Sequence, residues 1–167
     1  MPNSFMQIPN LPPEYTDEAT KGWIDVKSCG FEQEMEIQDF ADSKAKVRNA
    51  AKATLANMEV QKLLDKTSIW LMLACASGEV IPEINFSFRR EDEKELYLKY
   101  ELKDVLIQSL SRSLDDGEHP SETLKLNYRQ IIWKFRPKKK DDTLGEWIIA
   151  GWDRQMNVKL DGRKVKG

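Results

Sequence analysis

The chain has 167 residues, of which 40% are hydrophobic and 32% are charged, and its formal net charge is -2. A chain of this length fits one globular domain and buries an ordinary core without disulfide support. The pI of about 5.6 argues against a nucleic-acid binder, because such a protein presents a strongly basic surface. No apolar run reaches the roughly 18 residues of a membrane helix, so membrane insertion is not expected.

The sequence contains few residues or motifs suited to catalysis or metal binding. The N-terminus has no positive leader followed by an unbroken apolar stretch, so no signal peptide is expected. Cys29 and Cys75 are predicted to be free thiols, because disulfides are uncommon inside cells. The chain has one histidine and none of the motifs typical of zinc, dinucleotide or phosphate sites. We therefore assign no catalytic, metal or cofactor residue.

Short segments that alternate between apolar and polar residues predict a mostly β protein. The first predicted strand covers residues 5–8, and the second covers 23–33, with Ile24 and Val26 on one face. Residues 39–57 are instead rich in Ala, Lys and Ser, with little to bury. We expect an extended surface loop there, or a segment that becomes ordered on a partner.

One short helix is predicted over residues 67–77. The side chains that can cap its start are Asp65, Thr67 and Ser68. Gly78 suits the left-handed backbone at a helix end. Since the helix is apolar nearly all round, we expect it to lie between packed surfaces; a buried strand over 69–76 is the alternative.

Period-two alternation returns after the helix and continues almost to the C-terminus. The predicted strands cover 84–88, 96–102, 105–110, 124–135 and 146–158. Near Arg129 the apolar residues change parity, which indicates a bulge or a strand that moves from one sheet to another. A basic, flexible tail follows at 159–167. Seven or eight short strands and one helix predict a single domain over 1–167, a compact β-barrel or two-sheet β-sandwich.

Several individual side chains invite a functional interpretation, but simpler roles explain them. His119 lies in a polar turn and is predicted to be a surface residue. The polar side chains at 65–68 are explained by helix capping, and Cys75 is expected to be a small buried side chain. Asp153 and Arg154 are candidates for a surface ion pair, worth at most about 1 kcal/mol. Two or three of the five tryptophans are expected to anchor the core.

Five segments, in this order, resemble the hemolysin-coregulated protein (Hcp) family of bacterial type VI secretion. They are GWIDVKSCGFEQ, LDKTSIWLMLACASGEVIPEINFSF, LYLKYELKDVLIQSLS, TLKLNYRQIIWKFRP and AGWDRQMNV, which together span about 22–158. The chain departs from the family at 42–57, where many members have a glycine-rich loop, and at Cys29, near which the family has a tryptophan. The resemblance rests on the order of the segments, because their individual residues are ordinary.

The resemblance implies a β-barrel with one flanking helix, similar to phage tail-tube proteins. It further implies six-membered rings that stack into the hollow inner tube of the secretion machine. The implied partners are other copies of the chain, the contractile sheath, the spike-tip protein and small effector proteins carried in the ring lumen. The protein would be cytoplasmic before the machine fires and secreted afterwards, with no enzymatic activity.

A self-assembling ring needs a head-to-tail contact between two different patches, and we expect exposed strand edges to supply it. The charged turns at 90–95 and 136–142 and the segment 39–57 are candidates for contacts between stacked rings. A monomeric small-ligand-binding β-barrel is the alternative function, which requires an apolar cavity. A β-sandwich hydrolase is a third, although no recognisable spacing of carboxylates supports it.

Overall fold

The described residues form eleven strands and one helix. The computed structural model describes residues 3–11, 21–38, 49–90, 95–114, 116–117 and 119–160. The elements are β1 Ser4–Gln7, β2 Ile24–Asp25, β3 Ser28–Gly30, β4 Gln33–Gln38, β5 Asn49–Leu55, β6 Met58–Leu63, α1 Thr67–Ser77, β7 Ile81–Arg89, β8 Leu96–Ser113, β9 Ser121–Phe135, β10 Ile148–Asp153 and β11 Val158–Lys159. The prediction of a mainly β protein with one short helix at 67–77 is confirmed.

Nine of the strands form one antiparallel sheet that curves around the core. Its order is β11-β10-β9-β8-β7-β1-β2, with β6 paired to β9 and β3 paired to β6. The predicted single strand over 23–33 is wrong, because the chain changes partner between adjacent residues. The Val26 amide donates to Ser4 O of β1, and the Lys27 amide donates to Gln61 O of β6. Because β2 and β3 are separate strands, the sheet is not a closed barrel.

The parity change predicted near Arg129 marks the place where β9 changes partner. Its first part pairs with β6 up to Leu126, and its last part pairs with β10 from Gln130. Strand β8 accompanies β9 along this whole length, so the two predicted strands at 96–102 and 105–110 are one continuous strand. Within it Asp104 adopts a left-handed φ of 50°, at the same level of the ladder.

A single hydrophobic core lies on the concave side of the sheet. Its fully buried side chains include Met58, Phe86, Leu102, Leu124 and Tyr128. Burial of one such side chain stabilises the folded state by about 1.5–3 kcal/mol. Three of the five tryptophans pack against this core, as predicted; they are Trp70, Trp133 and Trp152.

The helix covers the core with one side only. Leu71 and Ala74 are buried, whereas Ile69 and Leu73 are 68% and 63% exposed. The expectation that α1 lies between packed surfaces is therefore wrong, because the apolar content of a helix does not say how many neighbours it has. Its C-terminal end is as predicted: Gly78 has a φ of 69°, and its amide donates to Ala74 O.

Strands β4 and β5 form a separate two-stranded sheet, which we call the hairpin. The prediction of a loop over 39–57 is wrong for Asn49–Leu55, since these residues form β5; residues 39–48 lie outside the described part of the chain. The small side chains of β5 lack the alternation that a half-buried strand shows, because β5 pairs only with β4 and not with the main sheet.

At the end of the described chain, the residue after β11 folds back against β10. The predicted strand at 146–158 is split into β10 and β11, and Leu160 then packs over Gly151. A Cβ atom on Gly151 would lie 2.9 Å from Leu160 Cδ1, so this close approach requires glycine. Of the predicted flexible tail at 159–167, Lys159 is in β11, and residues 161–167 are not described. The described chain contains no helix long and apolar enough to cross a membrane.

Candidate functional site

The side chains singled out in the sequence do not come together as a catalytic site. His119 is exposed, as predicted, and the described residues contain no group of three or more potential metal ligands. Cys29 and Cys75 are free thiols, as predicted, and each is partly buried. Burial raises the pKa of the Cys29 thiol to about 12, so it carries almost no nucleophilic thiolate near neutral pH.

The polar side chains at 65–68 belong to a buried ion network below α1. Asp65 Oδ1 accepts a hydrogen bond from the Thr67 amide at 2.9 Å, and the Asp65 amide donates to Ser68 Oγ at 3.0 Å. Of the predicted capping side chains, Asp65 thus accepts an amide at the start of the helix, whereas Lys66, directly before α1, forms no side-chain cap. Ser68 Oγ also donates to Glu122 Oε1 at 2.7 Å, which extends the network into the sheet.

Lys62 and Glu122 form the centre of this network and are completely buried. Lys62 Nζ lies 2.7 Å from Glu122 Oε1 and 3.1 Å from Asp65 Oδ1, and it also donates to Leu63 O. Arg112 reaches the second carboxylate oxygen of Glu122 at 3.1 Å. Each buried charge thus has opposite charges and hydrogen bonds around it, which is the condition for tolerating it inside a protein. The network fixes the start of α1 to β6, β8 and β9.

Part of the main sheet exposes a polar face. Here β3, β6, the first half of β9 and the second half of β8 lie side by side, and the face away from the core is solvent-exposed. Its side chains include Ser28, Glu59, Gln61, Gln108, Lys125 and Asn127. Glu59 and Lys125 lie directly opposite each other on β6 and β9, a favourable cross-strand pair. A depression of about 730 Å³ opens on this face and is lined by both polar and apolar residues, among them Glu59, Lys125 and Phe31.

The two sides of this polar face are strand edges. β3 pairs only with β6, so its other edge has no strand partner in the described part of the chain. β8 pairs with β7 only up to Val105, so its residues 106–113 have β9 on one side and no strand on the other within the described ranges. The helix α1 also packs against β8. Such edges present backbone donors and acceptors that can pair with another chain.

The hairpin continues from the β3–β6 pair and projects away from the main sheet. Among the described elements, β4 and β5 pack extensively only against each other. Gln33, Glu34 and Met35 on β4 are exposed, with Met35 at 46%, while Leu55 at the base of β5 is buried in the core. The hairpin is thus anchored at its base by Leu55 and by Ala53, which packs against the core, while its other described side chains are exposed.

The main sheet, the helix and the core between them are called the body from here on. Three residues of the body hold one strand of the hairpin at its base. The Tyr128 hydroxyl donates to Ala56 O at 2.8 Å, and Arg154 lies over the Tyr128 ring, with its Cζ 4.4 Å from the ring centre. The Arg154 guanidinium donates to Asn57 Oδ1 at 3.4 Å, and the Asn57 amide group donates to Gln108. Burial raises the pKa of Tyr128 to about 12, so its hydroxyl stays a donor at neutral pH.

The predicted ion pair between Asp153 and Arg154 is wrong, because the two side chains face different partners. Arg154 turns toward Tyr128 and Asn57, whereas Asp153 Oδ2 lies 3.4 Å from Arg129 Nε. Burial alone would raise the pKa of Asp153, but hydrogen bonds from the Met156 amide and the Gln130 side chain, together with Arg129, hold that pKa below its usual range.

Aromatic side chains hold the other strand of the hairpin. Phe31, between β3 and β4, stacks on Trp133 with ring centres 6.4 Å apart and meets Tyr100 edge to face at 5.6 Å. Phe88 adds an edge contact to Tyr100 at 5.4 Å. The sequence analysis did not single out Phe31 and assigned Arg154 to a different partner, because it did not predict the hairpin. The alternation of Met35 with glutamates in QEMEIQ is the signal in the sequence that indicates β4.

Several large apolar side chains are exposed on the described surface. They include Ile69, Met72 and Leu73 on α1, Ile148 and Ile149 on β10, and Phe135, Met156 and Val158 nearby. Of the predicted charged turns, 136–142 is described and lies between β9 and β10, whereas 91–94 in the other turn is not. Free edges, a projecting hairpin and exposed apolar side chains suit contacts between protein chains.

Comparisons with known proteins point to one family. The family described as type VI secretion system effector, Hcp, matches residues 5–135. Protein hcp1 from Pseudomonas aeruginosa is 32% identical over 113 residues, which are 65% of this chain and 69% of that protein. A solved structure of a type six secretion system protein aligns with a TM-score of 0.85 at 23% identity, over 96% of this chain and 100% of the other. Hcp1 from Salmonella typhimurium aligns with a TM-score of 0.75 at 25% identity, over 95% and 98% of the two chains.

Proposed function

Because this chain belongs to the Hcp family of type VI secretion system effectors, we propose that its copies close head to tail into six-membered rings that stack into the inner tube of the secretion machine. The observation that carries this proposal is the pair of strand edges beside the polar face, which have no strand partner among the described residues. They are different edges of one curved sheet, so joining one to the other repeats around a ring until it closes.

In this ring, the β3 edge of one copy pairs with residues 106–113 on β8 of the next. Main-chain hydrogen bonds across this junction continue the sheet from copy to copy. The polar face then forms a continuous surface around the ring. Because Glu59, Lys125 and their neighbours are polar and the face is open, we assign it to a water-filled lumen, where small effector proteins are carried.

Stacking of rings requires a second contact, and we assign it to the hairpin. The hairpin projects from the body and exposes the described side chains of β4, so it reaches beyond the sheet that forms the ring. The charged turns at 90–95 and 136–142 contribute electrostatic registration. At 1 M salt the screening length falls to about 3 Å, so tubes should become shorter as salt is raised while rings persist.

The remaining parts of the proposal concern the cell. The protein acts by assembly and not as an enzyme, contacts the sheath and the spike-tip protein, and leaves the cytoplasm through the machine. A monomeric small-ligand carrier, the alternative function, needs an apolar enclosed cavity. The depression on the polar face is open to solvent and has charged side chains such as Glu59 and Lys125 in its lining, which favours the tube subunit.

Disulfide trapping between two differently marked copies tests the head-to-tail junction. In a background with Cys29→Ala and Cys75→Ala, one copy carries Ser28→Cys and the other carries Ser109→Cys, Ser111→Cys or Ser113→Cys. These four serines lie on the proposed edges, and a disulfide requires Cα atoms about 4.4–6.8 Å apart.

We expect cross-linked dimers when the β3 variant is mixed with at least one β8 variant, and none when either variant is oxidised alone. A single cysteine placed in the exposed turn at Lys139 is the matched control and should give no specific dimer. Efficient cross-linking of Ser28→Cys with itself would indicate a two-fold contact and would contradict a ring built head to tail.

A further inference from the structure

The hairpin is connected to the rest of the described chain mainly at its base. Its two strands pair with each other, and few contacts beyond its base connect it to the rest of the described chain. Pairing between β4 and β5 fixes the internal shape of the hairpin but not the direction in which it points. That direction depends on the short links 31–32 and 56–57, which join the hairpin to β3 and β6.

Each link is held by a separate group of side chains from the body. In the first link, Phe31 is packed against Trp133 and Tyr100, and Glu32 O accepts a hydrogen bond from the Ala56 amide at 2.7 Å. In the second link, Ala56 O accepts the Tyr128 hydroxyl, and Asn57 contacts Arg154. Both groups use β9, but at different places: Trp133 acts with Tyr100 of β8, and Tyr128 acts with Arg154, which follows β10. Held at two separate points, the hairpin resists both bending and rotation.

We propose that Phe31 and Arg154 are positioning residues that fix the direction of the hairpin before rings stack. This inference rests on the proposed function, because it assigns a purpose to a hairpin that contacts the next ring. A segment held in its bound direction loses less conformational freedom on association than one that moves freely. Rings in which every hairpin is already oriented therefore stack more readily than rings with freely moving hairpins.

The chemistry of the two groups suits this role. An aromatic pair contributes stabilisation beyond its buried area and has a preferred geometry, so Phe31 holds the first link at a defined angle. The Arg154 guanidinium is a planar, permanently charged donor that lies over Tyr128 and donates to Tyr128 O at 2.9 Å. Tyr128 therefore holds the Arg154 guanidinium in place while that guanidinium contacts Asn57.

Spin-label distance measurements test the inference directly. In the Cys29→Ala and Cys75→Ala background, labels are placed at Met35→Cys on the hairpin and Gln61→Cys on β6, both exposed positions. Labelled protein is diluted into unlabelled protein, so that only distances within one copy are measured. The same preparations are imaged by negative-stain electron microscopy to count rings and tubes.

We expect a narrow distance distribution in this background and a distribution at least twice as wide after Phe31→Ala. The ratio of tubes to rings should fall roughly tenfold, the effect of losing two aromatic contacts per copy. Phe31→Tyr keeps the ring and should restore both readouts. Tyr97→Ala is the matched control, because it removes an aromatic pair with Phe135, at 6.2 Å, that does not touch the hairpin.

Asn57→Ala provides a second variant if Phe31→Ala does not fold. It removes the contacts of the second link with Arg154 and Gln108, while Arg154 keeps its hydrogen bond to Tyr128 O. An unchanged distance distribution in Phe31→Ala or Asn57→Ala would overturn the inference. Wider distributions with normal tubes would also overturn it, because positioning would then be irrelevant to stacking. If the unmodified chain forms no rings, the proposed function fails, while the distance distributions still decide whether these residues fix the hairpin.

Discussion

The body and the hairpin are stabilised in different ways. The body surrounds one hydrophobic core and contains fully buried charges, Lys62 and Glu122, that are satisfied only by each other and their neighbours. The described side chains of the hairpin are mostly exposed, and its strands pair with each other. The body is therefore specified by its own interior, whereas the hairpin has contacts to gain from another molecule.

Removing the hairpin should have the largest effect on assembly and a small effect on the body. Residues 34–54 are replaced by Asn-Gly, which supports a two-residue hairpin turn between Gln33 and Leu55, a directly opposed pair. We expect rings to form and tubes to be lost completely, as seen by negative-stain electron microscopy. Loss of the rings as well would assign the hairpin to the ring contact and contradict the distinction drawn between the two regions.

Glu122→Ala should have the largest effect on the stability of the body. It leaves the buried Lys62 ammonium without its closest counter-charge, and breaking such a pair from one side costs about 3–5 kcal/mol in the free energy of unfolding. Urea denaturation measures this loss. The double variant Lys62→Met with Glu122→Leu removes both charges and should recover most of the stability; no recovery would show that packing, and not the unpaired charge, causes the loss.

A pair of truncations compares the two regions directly. Leu124→Ala opens a cavity in the core and should lower the free energy of unfolding by about 2–5 kcal/mol. Met35→Ala shortens an exposed side chain on the hairpin and should change the free energy of unfolding by no more than about 0.5 kcal/mol. Both values come from urea denaturation of dilute, unassembled protein. Similar losses for the two variants would mean that the hairpin is part of the core.

Alkaline pH should weaken the body by a smaller amount. Burial raises the pKa of Cys29 from its ordinary value of 9.0 to about 12, so between these values the folded state keeps a proton that the unfolded state loses. Stability is therefore fully present below pH 9 and falls as the pH rises toward 12. By linkage, the free energy of unfolding should be about 1 kcal/mol lower at pH 10 than at pH 8.

Urea denaturation at the two pH values measures this difference, and Cys29→Ala provides the control. That variant should lose less stability between pH 8 and pH 10, because it has no thiol to ionise. Burial also raises the pKa of Tyr128, from 10.0 to about 12, so a further decrease is expected above pH 10 in both proteins. Equal losses for the two proteins at pH 10 would contradict the assignment to Cys29.

The difference between the body, which buries its own interior, and the exposed hairpin also explains which features the sequence predicts well. The helix was placed at 67–77 because its start and end have local chemical signals, the Asp65 cap and the left-handed Gly78. The change of partner in β9 was visible because burial forces apolar residues to one face, so a parity change marks a change of surroundings. Both features depend on interactions within one copy.

The wrong or missing predictions for β5, α1 and the base of the hairpin concern surfaces that the chain does not bury by itself. Strand β5 has small side chains because no core covers it, so periodicity did not indicate a strand. The exposure of Ile69 and Leu73 was missed because an apolar sequence says that a surface is to be covered but not which molecule covers it. Phe31 and Arg154 contact residues that are far away along the chain, Trp133 and Asn57, and no local pattern predicts such contacts.

Direct imaging of purified protein, with its mass measured in solution, tests the central claim. Mass photometry and negative-stain electron microscopy should show annular particles of six copies that persist on dilution, with stacked rings at higher concentration. A monodisperse single copy at every concentration, with no annular particles, would contradict an assembly built from the free edges of β3 and β8.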